Sequence, residues 1–234
     1  MSRGMWVLIA CLTGVPAWAQ EGPVAAEPAA PAGEASIPAA GSGVAGRLVS
    51  LPTAWHTRFD AYLAGAEDAA VGVLLVHDRW GLNGEVRAWA DRVAALGFRV
   101  LAVDLYDGRP ARGDAQFALA VWRSIDPVWI EADLDAALAF LRRTQGRIVA
   151  MAWGKGVQEA AGLLTRHPGA VRALVTYYDS ETLTAGDRPG KLTIPVLDVL
   201  TPRTLAGPPA AGLPAQAAAD AWIATEQFLT RLSQ

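Results

Sequence analysis

The chain has 234 residues, with 20 Lys and Arg against 23 Asp and Glu, so its formal net charge is only −3. No stripe of basic residues accompanies this balance, which argues against a nucleic acid or an anionic membrane surface as a partner. A single cysteine excludes an internal disulfide framework and a cysteine-based metal site. No spacing of His, Asp and Glu indicates another metal site, and we expect no cofactor.

The first 19 residues have the features of an export signal. A positive residue precedes an apolar run over 5–12, and Ala17-Trp18-Ala19 provides an A-x-A cleavage site. The run is too short to span a bilayer. We therefore predict a signal peptide over 1–19 and a periplasmic or secreted protein with no transmembrane span after cleavage. Cleavage at Cys11, which would give a lipoprotein, is the less favoured alternative.

Residues 20–46 are rich in Ala, Pro and Gly and contain almost no large apolar side chains. Such a segment cannot bury enough surface to offset its chain entropy, so we predict a disordered linker. From residue 47 the composition becomes that of a globular protein. Residues 47–234 are therefore expected to form one α/β domain.

The globular part alternates short apolar runs with longer amphipathic ones, which predicts a mostly parallel sheet covered by helices on both faces. The predicted strands are 47–51 and 57–63 as a hairpin, then 71–77, 98–103, 147–151, 171–176 and 194–200. The predicted helices are 85–96, ending at Gly97 as a C-cap, then 115–124, 129–143, 156–164 and 220–232. Ligands bind at the carboxyl ends of such strands, which places 77–80, 104–109 and 152–153 on one rim.

The segment between strand 147–151 and the next helix has the layout of a nucleophile elbow. It reads Ala-Met-Ala-Trp-Gly over 150–154, with small residues two before and two after the centre, as in G-x-S-x-G. The centre is Ala152, whose methyl group can neither attack a carbonyl nor hold a proton. The sequence therefore predicts a strand-turn-helix at Ala152 that lacks a reactive atom.

Three motifs carry a resemblance to a known family. They are Val-His-Asp-Arg-Trp-Gly-Leu-Asn over 76–83, Ala-Asp-Arg-Val-Ala-Ala-Leu-Gly-Phe over 90–98, and Val-Asp-Leu-Tyr over 103–106. Together they resemble the dienelactone hydrolase family of α/β-hydrolases, and the resemblance extends over nearly all of the globular part. It implies an α/β-hydrolase-like three-layer sandwich with a mostly parallel sheet.

The family uses a Cys-Asp-His triad, and the resemblance implies that this chain has lost it. The nucleophile falls on Ala152, and the acid falls on Thr204, at the end of a segment that departs from the family's G-x-x-D pattern. The histidine should precede the final helix, where this chain has none. Only residues 205–219 separate the lost acid from that helix, so the last strand is expected to be missing or shortened.

Other family positions are retained, each with a simpler structural alternative. Asp78 matches a carboxylate that contacts the nucleophile, or is simply a polar residue at a strand end. The backbone around Arg79 and Trp153 would form the oxyanion hole. Arg109 resembles a clamp for the substrate carboxylate, although the spacing before it differs; a solvated loop arginine is an equal alternative.

Lys155 replaces a family glycine at a helix start and could bind an anion together with the two arginines, although a side chain extending into water is the more common arrangement. Trp80 and Trp153 lie on predicted turns and suggest a flat, apolar ligand pocket, to which Trp122 and Trp129 could contribute. Core packing is the alternative for each tryptophan.

No other residue provides a convincing nucleophile or base. His77 ends a buried strand and is interpreted as a structural histidine with satisfied hydrogen bonds. His167 precedes a proline at a helix end and is interpreted as a C-terminal cap. Ser180 follows a strand without a base nearby and is interpreted as a turn residue.

The first functional hypothesis is an exported pseudoenzyme that binds a small molecule or a protein partner. The alternative is an active carboxylic-ester or lactone hydrolase that uses a nucleophile outside the family pattern. A second alternative is a structural or assembly subunit held by the long linker.

Overall fold

The computed structural model describes residues 45–109, 115–177, 194–199 and 215–233. The strands are β1 (Arg47–Pro52), β2 (Arg58–Ala64), β3 (Val71–Val76), β4 (Arg99–Val103), β5 (Arg147–Trp153), β6 (Ala173–Tyr177) and β7 (Val196–Val199). The helices are α1 (Gly84–Ala94), α2 (Ala115–Arg123), α3 (Pro127–Leu141), α4 (Lys155–Arg166) and α5 (Ala215–Ser233). Several predicted features lie outside the described residues: the signal peptide, nearly all of the linker, Ser180, Thr204 and residues 205–214 of the region of the expected strand loss.

The described strands form one sheet in the order β1-β2-β4-β3-β5-β6-β7. β1 pairs with β2 in antiparallel fashion, and so does β2 with β4. All pairs from β4 across to β7 are parallel. The predicted opening hairpin and mostly parallel sheet are therefore confirmed, and β3 and β5 lie side by side near the middle.

Helices cover both faces of this sheet, which gives the three layers of an α/β-hydrolase-like sandwich. Leu74 and Val76 of β3 point into a core shared with α3 and α4, whereas Val73 and Leu75 point into a second core shared with α1 and α5. Every residue of β3 is buried. A strand buried on both faces requires a continuous apolar run, which is why β3 reads Val-Gly-Val-Leu-Leu-Val.

Several element boundaries differ from the sequence prediction for identifiable reasons. α3 begins two residues early, because the Asp126 carboxylate accepts a hydrogen bond from the Val128 N–H and a proline occupies the first turn. α1 ends at Ala94 with Ala95 as its C-cap, so Gly97 is not the C-cap but lies in the following turn, with a φ of 93°. β5 extends two residues beyond its predicted end, to Trp153. This last difference changes the location of the candidate site.

Within the described ranges, no helix combines the length and hydropathy that crossing a bilayer requires.

Candidate functional site

The turn between β5 and α4 consists of one residue, Gly154. Its φ is 45° and its ψ is −115°, a backbone conformation that residues with a Cβ rarely adopt. The predicted strand-turn-helix is present, but its predicted centre at Ala152 is wrong by two residues. Ala152 is buried within β5 and pairs with Val76 and Thr176 on the neighbouring strands.

The residues on both sides of the turn are small because the chain is crowded there. A Cβ added to Gly156 would lie 2.4 Å from the carbonyl oxygen of His77, which belongs to the backbone and cannot move aside cheaply. Ala152, two residues before the turn, is fully buried between two strands. The small-x-turn-x-small pattern therefore spans residues 152–156. In the sequence, the pattern centred on Gly154 fits the spacing of an elbow as well as the one centred on Ala152 does.

The carboxylate of Asp78 occupies the space in front of the turn. Its Oδ1 accepts a hydrogen bond of 2.9 Å from the backbone N–H of Lys155, the first residue of α4. Its Oδ2 lies 3.6 Å from Nε of Arg79, an ion pair rather than a hydrogen bond. A helix start carries partial positive charge, so the carboxylate is held by two electropositive groups.

These contacts alter the predicted oxyanion hole. An elbow of this type uses the N–H of the residue that follows the turn residue. That residue is Lys155, not Trp153, and its N–H already donates to Asp78. The Lys155 side chain is exposed, as expected for a lysine that extends into water. The structure thus brings together Asp78, Arg79 and the backbone of Lys155.

His77 connects the two loops that form the rim. The backbone N–H of Leu105 donates to its Nε2 at 3.1 Å, which leaves the proton on Nδ1 to bond the carbonyl oxygen of Asp78 at 2.7 Å. The ring is completely buried, and burial lowers its pKa, so it is neutral. The prediction of a structural histidine with satisfied hydrogen bonds is confirmed. The hydroxyl of Tyr106 adds a second connection by donating to the carbonyl oxygen of Arg79 at 2.6 Å.

The predicted aromatic pocket is not formed. Trp153 is fully buried and stacks on Tyr177, with ring centroids 5.0 Å apart and planes only 7° apart. Trp89 packs against both rings, all within the core under α1 and α5. Trp122 packs on the opposite face of the sheet, against His77. Because β5 extends to residue 153, its last side chain points into the core instead of onto a rim turn. Trp80, on the loop after β3, is partly exposed.

Arg109 lies on the loop after β4. Its backbone N–H and its Nε both donate to the carbonyl oxygen of Tyr106. Its side chain lines a cavity of about 420 Å³ between the loop after β4, the start of β2 and α3. No contact joins it to Asp78 within the described residues. The predicted anion site of Lys155, Arg79 and Arg109 stays a prediction, because the contacts of these three residues neither join them nor separate them.

Sequence reasoning missed this cavity. Its most perturbed group is Asp133 of α3, whose pKa is raised to about 7, first by burial and then by the charges of Asp107 and Asp104. The same helix carries Glu131 and Asp135, and nothing in the pattern distinguishes Asp133 from such surface carboxylates. Trp129, noted as a rim candidate, is also in the wall of the cavity.

His167 lies at the far end of α4. It is the C-cap residue, and its backbone N–H donates to the carbonyl oxygen of Leu163, as predicted. Its Nε2 lies 3.0 Å from the carboxylate of Asp135. In the part of the chain that the structure describes, no group of three or more His, Cys, Asp or Glu residues is arranged to hold a metal ion.

Three solved structures share this architecture over most of the chain. The protein m3DLH is 18% identical with a TM-score of 0.63, covering 80% of this chain and 99% of its own. A dienelactone hydrolase-like promiscuous phosphotriesterase from metagenomic libraries is 19% identical with a TM-score of 0.61, covering 81% and 99%. A protein from Klebsiella pneumoniae assigned to the dienelactone hydrolases is 15% identical with a TM-score of 0.59, covering 80% and 99%.

At these identities the three structures establish the fold alone, and no curated protein matches the chain significantly. The sequence model of the dienelactone hydrolase family matches residues 59–201, which include β2 except its first residue, the turn at Gly154 and β7. The chain therefore belongs to the dienelactone hydrolase family.

Proposed function

We propose that this protein is a dienelactone-hydrolase-like pseudoenzyme, an exported binding protein without acyl-transfer chemistry. One observation carries the proposal. The residue on the turn that presents the nucleophile in an elbow is Gly154, which has no side chain. The position of the vestigial nucleophile is thus Gly154 rather than Ala152. The space that a nucleophile would enter is filled by the carboxylate of Asp78.

The lack of a usable base supports the same conclusion. The chain has three histidines, and all of them lie in described regions. His77 is neutral with both ring nitrogens bonded, and His167 is at the end of α4 opposite the turn, roughly 18 Å away for a helix of this length. His56 lies in the turn before β2, three strands from β5, or roughly 14 Å across the sheet.

One observation favours the alternative, an ester hydrolase with a nucleophile outside the family pattern. The carboxylate of Asp78 is a nucleophilic group beside the turn, and carboxylates form covalent intermediates in some hydrolases. Its Oδ1 is, however, occupied by the N–H of Lys155. That N–H is also the donor that would stabilise an oxyanion. While it bonds the Asp78 carboxylate, it cannot stabilise the oxyanion that an attack by this carboxylate would form.

The decisive experiment measures covalent chemistry in the mature protein, with residues 1–19 removed. We expect no burst with p-nitrophenyl acetate and no mass increase with fluorophosphonate or chloroacetamide probes. The physical reason is that the mature chain has no thiol and no hydroxyl on the turn. Asp78→Asn and Ser180→Ala are the matched variants, since each removes one remaining nucleophile.

Stoichiometric labelling of the unmodified protein that either substitution abolishes would overturn the proposal and establish the hydrolase alternative. Slow background turnover that both variants retain would agree with a pseudoenzyme, because oxyanion-hole donors and binding alone accelerate hydrolysis by about 10³–10⁴-fold over water in an enzyme without its triad.

A further inference from the structure

Two tryptophans, Trp55 and Trp129, are far more exposed to water than the tryptophans of the core. Trp55 and Trp129 are 50% and 46% exposed, whereas the side chains at 89, 122, 153 and 222 are all at most 9% exposed. The two exposed rings contact each other edge to face, with centroids 5.4 Å apart and planes at 78°. Paired indoles that remain in water form an apolar surface of the kind that binding sites use.

This aromatic pair adjoins the cavity of about 420 Å³, because Trp129 forms one of its walls. The volume is within the range of small-molecule sites, roughly 300–1,000 Å³. Charged groups of both signs make up much of the remaining lining: Arg58, Arg109, Asp107, Asp126 and Asp133. The site thus combines the exposed indole of Trp129 with charged donors and acceptors that line the same cavity.

Short-range hydrogen bonds fix most of these charged groups in place. Arg58 donates to the side chain and the carbonyl oxygen of Ser50, and Arg109 donates to the carbonyl oxygen of Tyr106. Asp126 accepts from the Val128 N–H. Each guanidinium has five N–H donors, so both retain donors for a ligand. Asp133 has no hydrogen-bond partner among the described residues.

The lining restricts the chemistry of the ligand. Two guanidinium groups disfavour an organic cation, and three carboxylates disfavour the small carboxylate that the family's clamp would bind. A neutral molecule with many hydroxyls is suited to both, since hydroxyls donate to carboxylates and accept from guanidinium groups. The C–H face of a pyranose ring is also the apolar plane that stacks on an indole.

We propose that the cavity beside Trp129 is a carbohydrate-binding site, with the indole of Trp129, which Trp55 contacts edge to face, as its stacking surface. Arg58, Arg109 and Asp133 would supply the hydrogen bonds to the ring hydroxyls. This inference does not depend on the loss of chemistry at Gly154, because none of the lining residues belongs to the turn.

The test is calorimetry and saturation-transfer NMR on the mature protein with cellobiose, N,N′-diacetylchitobiose and maltose as probes. We expect at least one to bind with a dissociation constant of about 1 mM or below. Trp129→Ala and Asp133→Asn should each weaken that binding by at least about tenfold. Ile223→Ala is the control, because it truncates an equally exposed apolar side chain, 50% exposed, on α5.

Circular dichroism of each variant shows whether it folds, and the half-exposed Trp129 is not needed for the core. The proposal is wrong if none of the three saccharides binds at about 10 mM, or if Trp129→Ala binds as tightly as the unmodified protein. It is also wrong if choline or benzoate binds in a Trp129-dependent manner while the saccharides do not. Covalent labelling at the turn would overturn the proposed function and leave this site unaffected.

Discussion

The carboxylate of Asp78 lies where a side chain at residue 154 would begin: a Cβ added to Gly154 would be 2.6 Å from both Cγ and Oδ1 of Asp78. No real Cβ tolerates such a distance, so the two positions exclude each other's side chains in this arrangement. A side chain at residue 154 would therefore require the Asp78 carboxylate to move from its present position.

The first prediction tests this exclusion. Gly154→Ala should lower the free energy of unfolding by about 2–4 kcal/mol, through backbone strain at positive φ and overlap with Asp78. Gly169→Ala is the matched control, because Gly169 has a φ of 78° and no neighbour within 4 Å of an added Cβ. It should lower the free energy by only about 1–2 kcal/mol.

Denaturant unfolding of the double variant completes the cycle. Asp78→Ala should recover at least about 1 kcal/mol of the loss caused by Gly154→Ala and none of that caused by Gly169→Ala. Additive effects of Asp78→Ala and Gly154→Ala would show that the carboxylate does not fill the space in front of the turn.

The second prediction concerns Trp153. Because it is buried between Trp89 and Tyr177, Trp153→Ala should lower the free energy of unfolding by about 3–5 kcal/mol. The half-exposed Trp129 provides the comparison, since Trp129→Ala should lower it by less than about 1 kcal/mol. Equal losses in chemical denaturation would contradict the assignment of Trp153 to the core.

The third prediction is a pH dependence that arises from Asp133. Its pKa in the folded protein, about 7, is above the ordinary value of 3.8, so between these values the folded state holds a proton that the unfolded state has released. Stability from this group is therefore greatest below about pH 4 and decreases as the pH rises to about 7. Asp133→Asn should remove this decrease and make the protein more stable at pH 8, by on the order of 1–2 kcal/mol, since solvent reaches part of the side chain.

His77 provides the opposite slope in the same measurement. Burial lowers its pKa, so the unfolded state binds a proton before the folded state does. Stability from His77 therefore decreases as the pH falls below the ordinary histidine value of about 6.5. In urea titrations, the Asp133→Asn variant should still lose stability as the pH falls, because His77 is unchanged. An Asp133→Asn variant whose stability still decreased as the pH rose from 4 to 7 would contradict the assignment to Asp133.

The fourth prediction concerns the start of the domain. The N–H of Gly46 donates to Oδ1 of Asp91, and the same carboxylate accepts from the hydroxyl of Tyr62. Limited proteolysis should therefore trim the mature chain to a stable fragment that begins just before Gly46 and unfolds like the mature protein. Protection of the preceding Ala/Pro/Gly-rich segment from protease would contradict the predicted linker.

The fold could be predicted from the sequence because its signals are local and repeated. Continuous apolar runs such as β3 occur only where helices cover both faces of a sheet, and the alternation of runs specifies the topology. The final helix was found too, although its start was predicted five residues late.

The candidate site was less predictable, because it depends on a shift of two residues. Ala152 and Gly154 are both small, and both fit the spacing of an elbow; only the backbone angles identify which one turns. The cavity at Asp133 is formed by segments that are far apart in the sequence, namely the start of β2, the loop after β4 and α3, so no local pattern predicts it. Burial and neighbouring charges, rather than residue type, distinguish this carboxylate.

The arrangement of aromatic rings gives the protein two separate optical reporters. Trp89, Trp153, Tyr177 and Trp222 lie with ring centroids 5.0–5.8 Å apart in one core, close enough for their electronic transitions to couple and produce a strong circular dichroism signal. Trp55 and Trp129 are in water, where acrylamide can quench their fluorescence. Quenching by acrylamide therefore distinguishes the exposed indoles from the buried ones in one sample, without an added label.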